Sequence, residues 1–241
     1  MKQESARPSI SVIIPARNEE GNLKACVQTV VTALDEVSDD HEILIVNDGS
    51  TDGTGVLADR LASEVPGVRV IHNPIGSGFA EAFRRGVQAA AKEYVALIPG
   101  DNEIQPISVR AIFEAVGKAD IVVPVTANQE DRPWLRRRMS RGFTGMVNLL
   151  FGFNLRYFQG PCVYRAAAIR AMPVRTRGFA FLTEMLVRSL AAGHRAVEVP
   201  MYIQARQFGT SSAVSAGNIV TALQTLVRLV WVVHVRREPL K

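Results

Sequence analysis

Val46-Asn47-Asp48-Gly49-Ser50-Thr51-Asp52-Gly53-Thr54 is the stretch on which the reading of this chain turns. It begins at the end of an apolar run, Glu42–Val46, and closes where a helical pattern starts, near Gly53–Glu64. Turn chemistry accounts for the glycines, and Thr51 or Asp52 can cap the helix. It does not account for Asp48. A carboxylate at the tip of an apolar strand can accept hydrogen bonds from a nucleobase N–H or a ribose hydroxyl.

The same strand, turn and helix recur on either side. Ile10–Ile14 reads as a strand leading through Pro15 to a helix over about Glu19–Leu34. Val68–Ile71 leads through a glycine loop to a helix over about Phe79–Ala91. Tyr94–Ile98 precedes a helix that starts near Pro106, and Asp120–Pro124 is a fifth strand. This rhythm predicts an α/β fold with a parallel sheet covered by helices on both faces. Ligands of such sheets bind at the carboxyl ends of the strands. The second half is less regular. A basic stretch, Arg132–Arg141, precedes an apolar one, Gly142–Phe153. A strand is expected at Cys162–Arg165, a helix over about Leu182–Ala192, a strand at Val197–Ile203 and a last helix over roughly Gly217–Arg237.

Charge divides the chain at the same place. Residues 1–131 carry 20 acids and 11 bases, a balance of −9, and residues 132–241 carry 3 acids and 17 bases, a balance of +14. The first part suits a metal and the second attracts anions. At 47% hydrophobic, the 241-residue chain has the composition of a globular domain, not of a disordered or fibrous one. Two cysteines, Cys26 and Cys162, form no disulfide framework and no Cys-rich zinc site, which points to a reducing compartment. The polar start, Met1–Pro8, runs into too few apolar residues for a signal peptide, so a cytoplasmic location is expected.

Three further strand ends carry chemistry. Pro15-Ala16-Arg17-Asn18-Glu19-Glu20 reads first as a helix start, with Asn18 as cap and two acids favouring the dipole. Asn73-Pro74-Ile75-Gly76-Ser77-Gly78 precedes a helix, and its glycines let backbone approach a phosphate or a sugar. It lacks the third glycine of a dinucleotide fingerprint, so an NAD site is not expected. Ile98-Pro99-Gly100-Asp101-Asn102-Glu103 ends in two carboxylates one residue apart, hard oxygen donors suited to Mg²⁺ or Mn²⁺. On successive strands, these segments line one crevice.

Together these segments resemble family 2 glycosyltransferases of the GT-A fold, with the polyprenyl-phosphate (dolichol-phosphate) hexose synthases nearest. The likeness rests on Ser11-Val-Ile-Ile-Pro-Ala-Arg-Asn-Glu19, Val46-Asn-Asp-Gly-Ser-Thr-Asp-Gly-Thr54, Gly76-Ser-Gly-Phe-Ala80 and Gly100-Asp-Asn-Glu103, and it spans roughly residues 9–212. It implies a GT-A catalytic domain over 1–212, with a nucleotide and metal half (1–131) and an acceptor half (132–212), and a C-terminal helix over 213–241. It implies that Pro15, Ala16, Arg17, Glu19, Asp48, Gly76, Gly78, Asp101 and Asn102 hold a UDP- or GDP-linked sugar. Asp101 and Glu103 would bind Mg²⁺ or Mn²⁺ on its diphosphate, with Pro99 standing where the metal motif usually begins with aspartate. Arg137, Ser140 and Arg141 match an Arg-x-x-Ser-Arg-like segment that meets an acceptor phosphate, a role that guanidinium forks suit. Glu184 ends a stretch placed near the acceptor and is the implied general base for an alcohol acceptor; a phosphate acceptor, already anionic, needs little or no base. Arg206 and Ser211 fall in an R-x-x-G-x-S loop that closes over the diphosphate, where Ser212 replaces a common lysine.

The implied activity is an inverting transfer of a hexose to polyprenyl phosphate. The alternatives are the same chemistry on a soluble or secondary-metabolite acceptor, and a non-catalytic sugar-nucleotide binding module. The arginines of residues 132–141 also read as a solvated helix face, and they accompany no nucleic-acid-binding motif, so no nucleic-acid partner is expected. Ile219–Val235 is too short and too polar to span a membrane. It reads equally as a core-packing helix and as an interfacial one, which would give peripheral contact with the cytoplasmic face of a membrane.

Overall fold

Burial along the first two strands decides the architecture. Ile10–Ala16 (β1) is buried throughout and His41–Asp48 (β2) nearly so, as strands covered on both faces must be. Val12 and Ile14 face one hydrophobic cluster with Ile43 and Ile45, whereas Ile13 faces another with Leu44 and Val46. The chain continues through Leu23–Val37 (α1), Thr54–Glu64 (α2), Val68–Asn73 (β3), Phe79–Ala89 (α3), Tyr94–Leu97 (β4), Pro106–Glu114 (α4) and Ile121–Thr126 (β5). A 3₁₀ turn at Gln129–Asp131 leads to Trp134–Phe151 (α5), Val163–Arg165 (β6), Ala166–Arg170 (α6), Ala180–Ala191 (α7) and Ala196–Met201 (β7). Ala216–Val230 (α8) runs on as a π-helix, Trp231–Arg236. This computed structural model describes residues 7–131, 133–170, 172–176, 178–206, 208 and 216–236.

The seven strands lie in the order β3-β2-β1-β4-β6-β5-β7. All pairings are parallel except those of the three-residue β6, which runs antiparallel to both β4 and β5. Helices α1, α2 and α4 cover one face, with Leu23, Val27, Leu34, Leu61, Ile112 and Phe113 in its core. Helices α3, α7 and α8 cover the other, through Phe83, Phe181, Leu186, Leu226 and Leu229. The α/β expectation stands, and the strand-end segments all lie on the carboxyl edge.

Local departures have local causes. The first helix starts at Leu23, not Glu19, because Asn18 takes a left-handed conformation (φ 56°) and Glu19–Asn22 form a turn closed by Asn22 N to Glu19 O at 2.9 Å. Asn22, not Asn18, sits at the cap. The basic and apolar stretches after residue 132 form a single helix, α5, ended by Gly152 in the left-handed region (φ 71°). Among its described residues only Val147 is buried. The last helix buries one side and leaves another open. Leu226 and Leu229 pack in the core, while Leu223, Val227 and Trp231 are exposed.

Candidate active site

Parallel register places Asp48 of β2 opposite Asn73 of β3, and the pairing becomes a hydrogen-bond cluster. Asp48 Oδ1 accepts from Asn73 Nδ2 at 2.9 Å, Ser77 N at 2.8 Å and Ser77 Oγ at 2.7 Å, and Oδ2 accepts from Gly78 N at 2.7 Å. Burial alone would raise the Asp48 carboxyl, but these donors outweigh it and hold the group below the usual carboxylate range. Arg85 Nη1 donates to Asn73 Oδ1 at 2.7 Å and fixes the amide. Asp48 therefore fastens the glycine loop to the sheet, a task not foreseen in the sequence. The loops after β2 and β3 touch because both are bare. Gly49 has φ +64°, and a Cβ there would lie 2.3 Å from Gly76 N. Gly76 in turn lies against the guanidinium of Arg17, so the β1, β2 and β3 ends form one continuous rim.

A second cluster forms beside this rim. Arg206 Nη2 lies 2.9 Å from Asp101 Oδ2 and 3.1 Å from Glu19 Oε1, and its Nε lies 3.3 Å from Glu103 Oε1. Three elements build it. Glu19 is set by its turn after β1, where its N–H donates to Thr54 Oγ1 at 2.8 Å. Asp101 and Glu103 flank Asn102, itself left-handed at φ 55°, in the loop after β4, and Gly100 N donates to Pro15 O at 3.1 Å to hold that loop against β1. Arg206 arrives from the segment after β7. There an antiparallel bridge pairs Ile203 with Ile104, Gln204 N donates to Glu103 O at 2.8 Å, and Gln204 Nε2 donates to Asn102 O at 2.9 Å. Burial pushes the Glu19 carboxyl up, against the pull of Asn22 and Arg206. Burial and then the charge of Asp101 push Glu103 up, against the pull of Arg206 and Arg136. Crowded carboxylates with raised affinity for protons are what a cation relieves.

These residues fit a divalent metal by chemistry. The donors are all hard oxygens, and Asp101 and Glu103 turn theirs toward the same cation, at present the guanidinium of Arg206. Among the described residues no three carboxylate, imidazole or thiol groups stand in an arrangement that would hold a metal ion as they are.

Helical spacing puts Arg137, Ser140 and Arg141 on one face of α5. The charge of neighbouring Arg136 reaches Glu103, so the first turn of α5 stands beside the acidic loop. Ser211, like Arg132, lies outside the described residues. Glu184 has an environment at odds with a base. It has no exposed surface, and it accepts from Arg228 Nη2 at 2.6 Å, Thr176 N at 2.9 Å, Arg188 Nε at 3.0 Å and Arg175 N at 3.3 Å. It ties α7 to α8 and to the preceding loop. Sequence reading passed over Asn73, Gln204 and Arg228; the signal for Asn73 was its polar side chain at the end of β3, in register with Asp48.

A mixed sheet of this order, with carboxylates gathered at its carboxyl edge, is the GT-A architecture of glycosyltransferases. Residues 11–175 match the family model described as Glycosyl transferase family 2, and the chain belongs to that family. It is 29% identical over 244 residues to the undecaprenyl-phosphate mannosyltransferase of Micrococcus luteus, a match covering 96% of this chain and 97% of that one. It is 30% identical over 225 residues to the polyprenol monophosphomannose synthase of Mycolicibacterium smegmatis, covering 88% and 83%. In fold it is similar to glucosyl-3-phosphoglycerate synthase from Mycobacterium tuberculosis, solved in complex with Mn²⁺, UDP and glucosyl-3-phosphoglycerate. That likeness has a TM-score of 0.68 at 17% identity and covers 92% of this chain and 80% of that one. The chain is thus a glycosyltransferase, and the reading as a non-catalytic binding module falls away.

Proposed function

We propose that this enzyme moves a hexose from a UDP- or GDP-sugar to a polyprenyl phosphate, with inversion, at the cytoplasmic face of a membrane. The observation that carries the proposal is the apposition of two sites of opposite charge. The acidic loop Asp101–Glu103 lies within reach of the charge of Arg136, on the helix that also carries Arg137, Ser140 and Arg141. The lipid-phosphate substrates in the names of the two relatives support the acceptor class.

In this reading residues 1–131 hold the donor, 132–212 hold the acceptor and lend Arg206 and Ser211 to the donor, and the helix after 213 is an accessory. The rim of Pro15, Ala16, Arg17, Asp48, Gly76 and Gly78 receives the nucleoside. Asn102, Arg206 and Ser211 serve the diphosphate beside Glu19. Asp101 and Glu103 would hold Mg²⁺ or Mn²⁺, which when bound neutralises charge on the leaving diphosphate. Arg137, Ser140 and Arg141 orient the acceptor phosphate. One of its oxygens bonds to the anomeric carbon as the bond to the donor phosphate breaks, and that electron pair departs with the nucleoside diphosphate. Such an acceptor is already anionic and needs no proton removed, which accords with a Glu184 fully engaged elsewhere.

Membrane contact has its own support. Exposed Leu135, Met139, Met146 and Leu149 recur along one side of α5, with Arg138 and Arg141 beside them, the composition of a helix lying at an anionic lipid surface. Among the described residues no helix is long and apolar enough to cross a membrane. The test is extraction of labelled sugar into organic solvent after incubation with UDP- or GDP-sugars and undecaprenyl phosphate. Expected is a lipid-linked product that falls at least tenfold in Arg137→Ala. Transfer to a soluble acceptor with none to lipid overturns the proposal.

A further inference from the structure

Arg206 is placed where it competes with any other cation for the three carboxylates. It is held there twice, by its ion pairs and by its neighbours. Asn22 Nδ2 donates to Glu19 Oε2 at 2.7 Å and to Phe208 O at 3.1 Å. The Phe208 ring lies over Gly21, where a Cβ would come within 2.7 Å of the ring's Cγ. Any side chain at position 21 would therefore push Phe208 away, two residues from Arg206.

We infer that Arg206 is an internal stand-in for the metal, which makes cation binding conditional on the donor diphosphate. A divalent cation approaching alone must displace a guanidinium paired with Asp101, Glu19 and Glu103. A nucleoside diphosphate offers that guanidinium a replacement anion, in the bidentate geometry that arginine favours. Once Arg206 turns to the diphosphate, Asp101 and Glu103 are released to the cation. Metal and nucleotide then bind with positive coupling, each raising the affinity for the other by the same factor. Loading in this order keeps the cation from holding the site without the nucleotide. The inference rests on the donor-site reading given above and adds to it the exchange at Arg206.

Free Mn²⁺ measured by electron paramagnetic resonance tests this without turnover. Titrations are run on the intact protein alone and with UDP or GDP, after subtraction of the Mn²⁺ held by free nucleotide. Wild type is expected to bind Mn²⁺ weakly alone and roughly tenfold or more tightly with its nucleotide. Arg206→Gln is expected to bind Mn²⁺ alone roughly tenfold or more tightly than wild type, with most of the nucleotide dependence gone. Gly21→Ala, which leaves every charge in place, is expected to shift the same way by a smaller factor, and it carries the test should Arg206→Gln not fold. If neither variant binds Mn²⁺ alone more tightly while wild type keeps its nucleotide dependence, the exchange is wrong and the donor site survives. If no protein binds Mn²⁺ even with nucleotide, both fall.

Discussion

Replacing Glu184 by glutamine separates a structural carboxylate from a catalytic one. The side chain has no exposed surface, and its two oxygens take four donors, two of them guanidinium groups. Glutamine keeps the shape but turns one acceptor into a donor and removes the charge. Two charge-assisted hydrogen bonds are lost or weakened, each worth about 1.5–3 kcal/mol. Arg188, only 3% exposed, is left without a counter-charge, whereas Arg228, with 34% of its side chain exposed, can turn toward water. The expected loss is about 3–5 kcal/mol, the usual consequence of breaking a buried pair on one side. For a chain of 241 residues that lowers the melting temperature by roughly 6–20 °C. Thermal unfolding is measured beside the transfer rate, the latter well below both melting points. Activity on a phosphate acceptor is expected to persist in the fraction that remains folded. Glu184→Leu combined with Arg188→Leu is expected to recover much of the stability, since a buried pair replaced on both sides by apolar groups is near neutral. An unchanged melting temperature with abolished turnover would refute this reasoning and restore Glu184 as the base.

Other perturbations address the donor rim and the outer face. Asp48 has a folded-state pKa held below the usual 3.8, so its stabilising contribution is present above that pH and is lost as pH falls toward the lower folded value. Asp48→Asn is expected to cost about 1–3 kcal/mol at neutral pH and to flatten the acid limb of urea-unfolding stability; an unaltered limb would count against the bonds to Ser77 and Gly78. Gly49→Ala forces a Cβ against Gly76 N at φ +64° and is expected to cost about 1–2 kcal/mol from the backbone alone, and to weaken nucleotide binding in calorimetry. Leu135→Ser with Leu149→Ser is expected to reduce sedimentation with anionic phospholipid vesicles about tenfold or more, while stability shifts by no more than about 0.5 kcal/mol; vesicle binding equal to wild type would remove α5 from the membrane surface.

What could be read before the structure follows from how local each feature is. The strand ends were legible because hydrophobic runs stop at the sheet edge, and Asp48, Asp101 and Glu103 come directly after such runs. The continuity of α5 was not, since its arginines and its two inner glycines mask the apolar stripe and little of the helix is buried. The reversed direction of β6 was hidden because three residues carry too little pattern to show their partner. The cluster at Arg206 depends on contacts 187 residues apart from Glu19 and 105 from Asp101, a distance no local pattern spans. The surroundings of Glu184 were hidden in the same way: Arg188 lies one helical turn on, but the second guanidinium, that of Arg228, comes from α8, 44 residues away.

The bridge between Ile104 and Ile203 also has a bearing on how the enzyme is made. As the chain leaves the ribosome, the first four strands and the loop bearing Asp101 and Glu103 emerge long before β7 does. Until β7 pairs with β5 and carries Gln204 and Arg206 back across the sheet, the nascent acidic edge lacks its own neutralising arginine. Maturation of the centre is therefore a late event, delayed by the time needed to add about a hundred residues, or roughly 5–20 s at ordinary rates of synthesis.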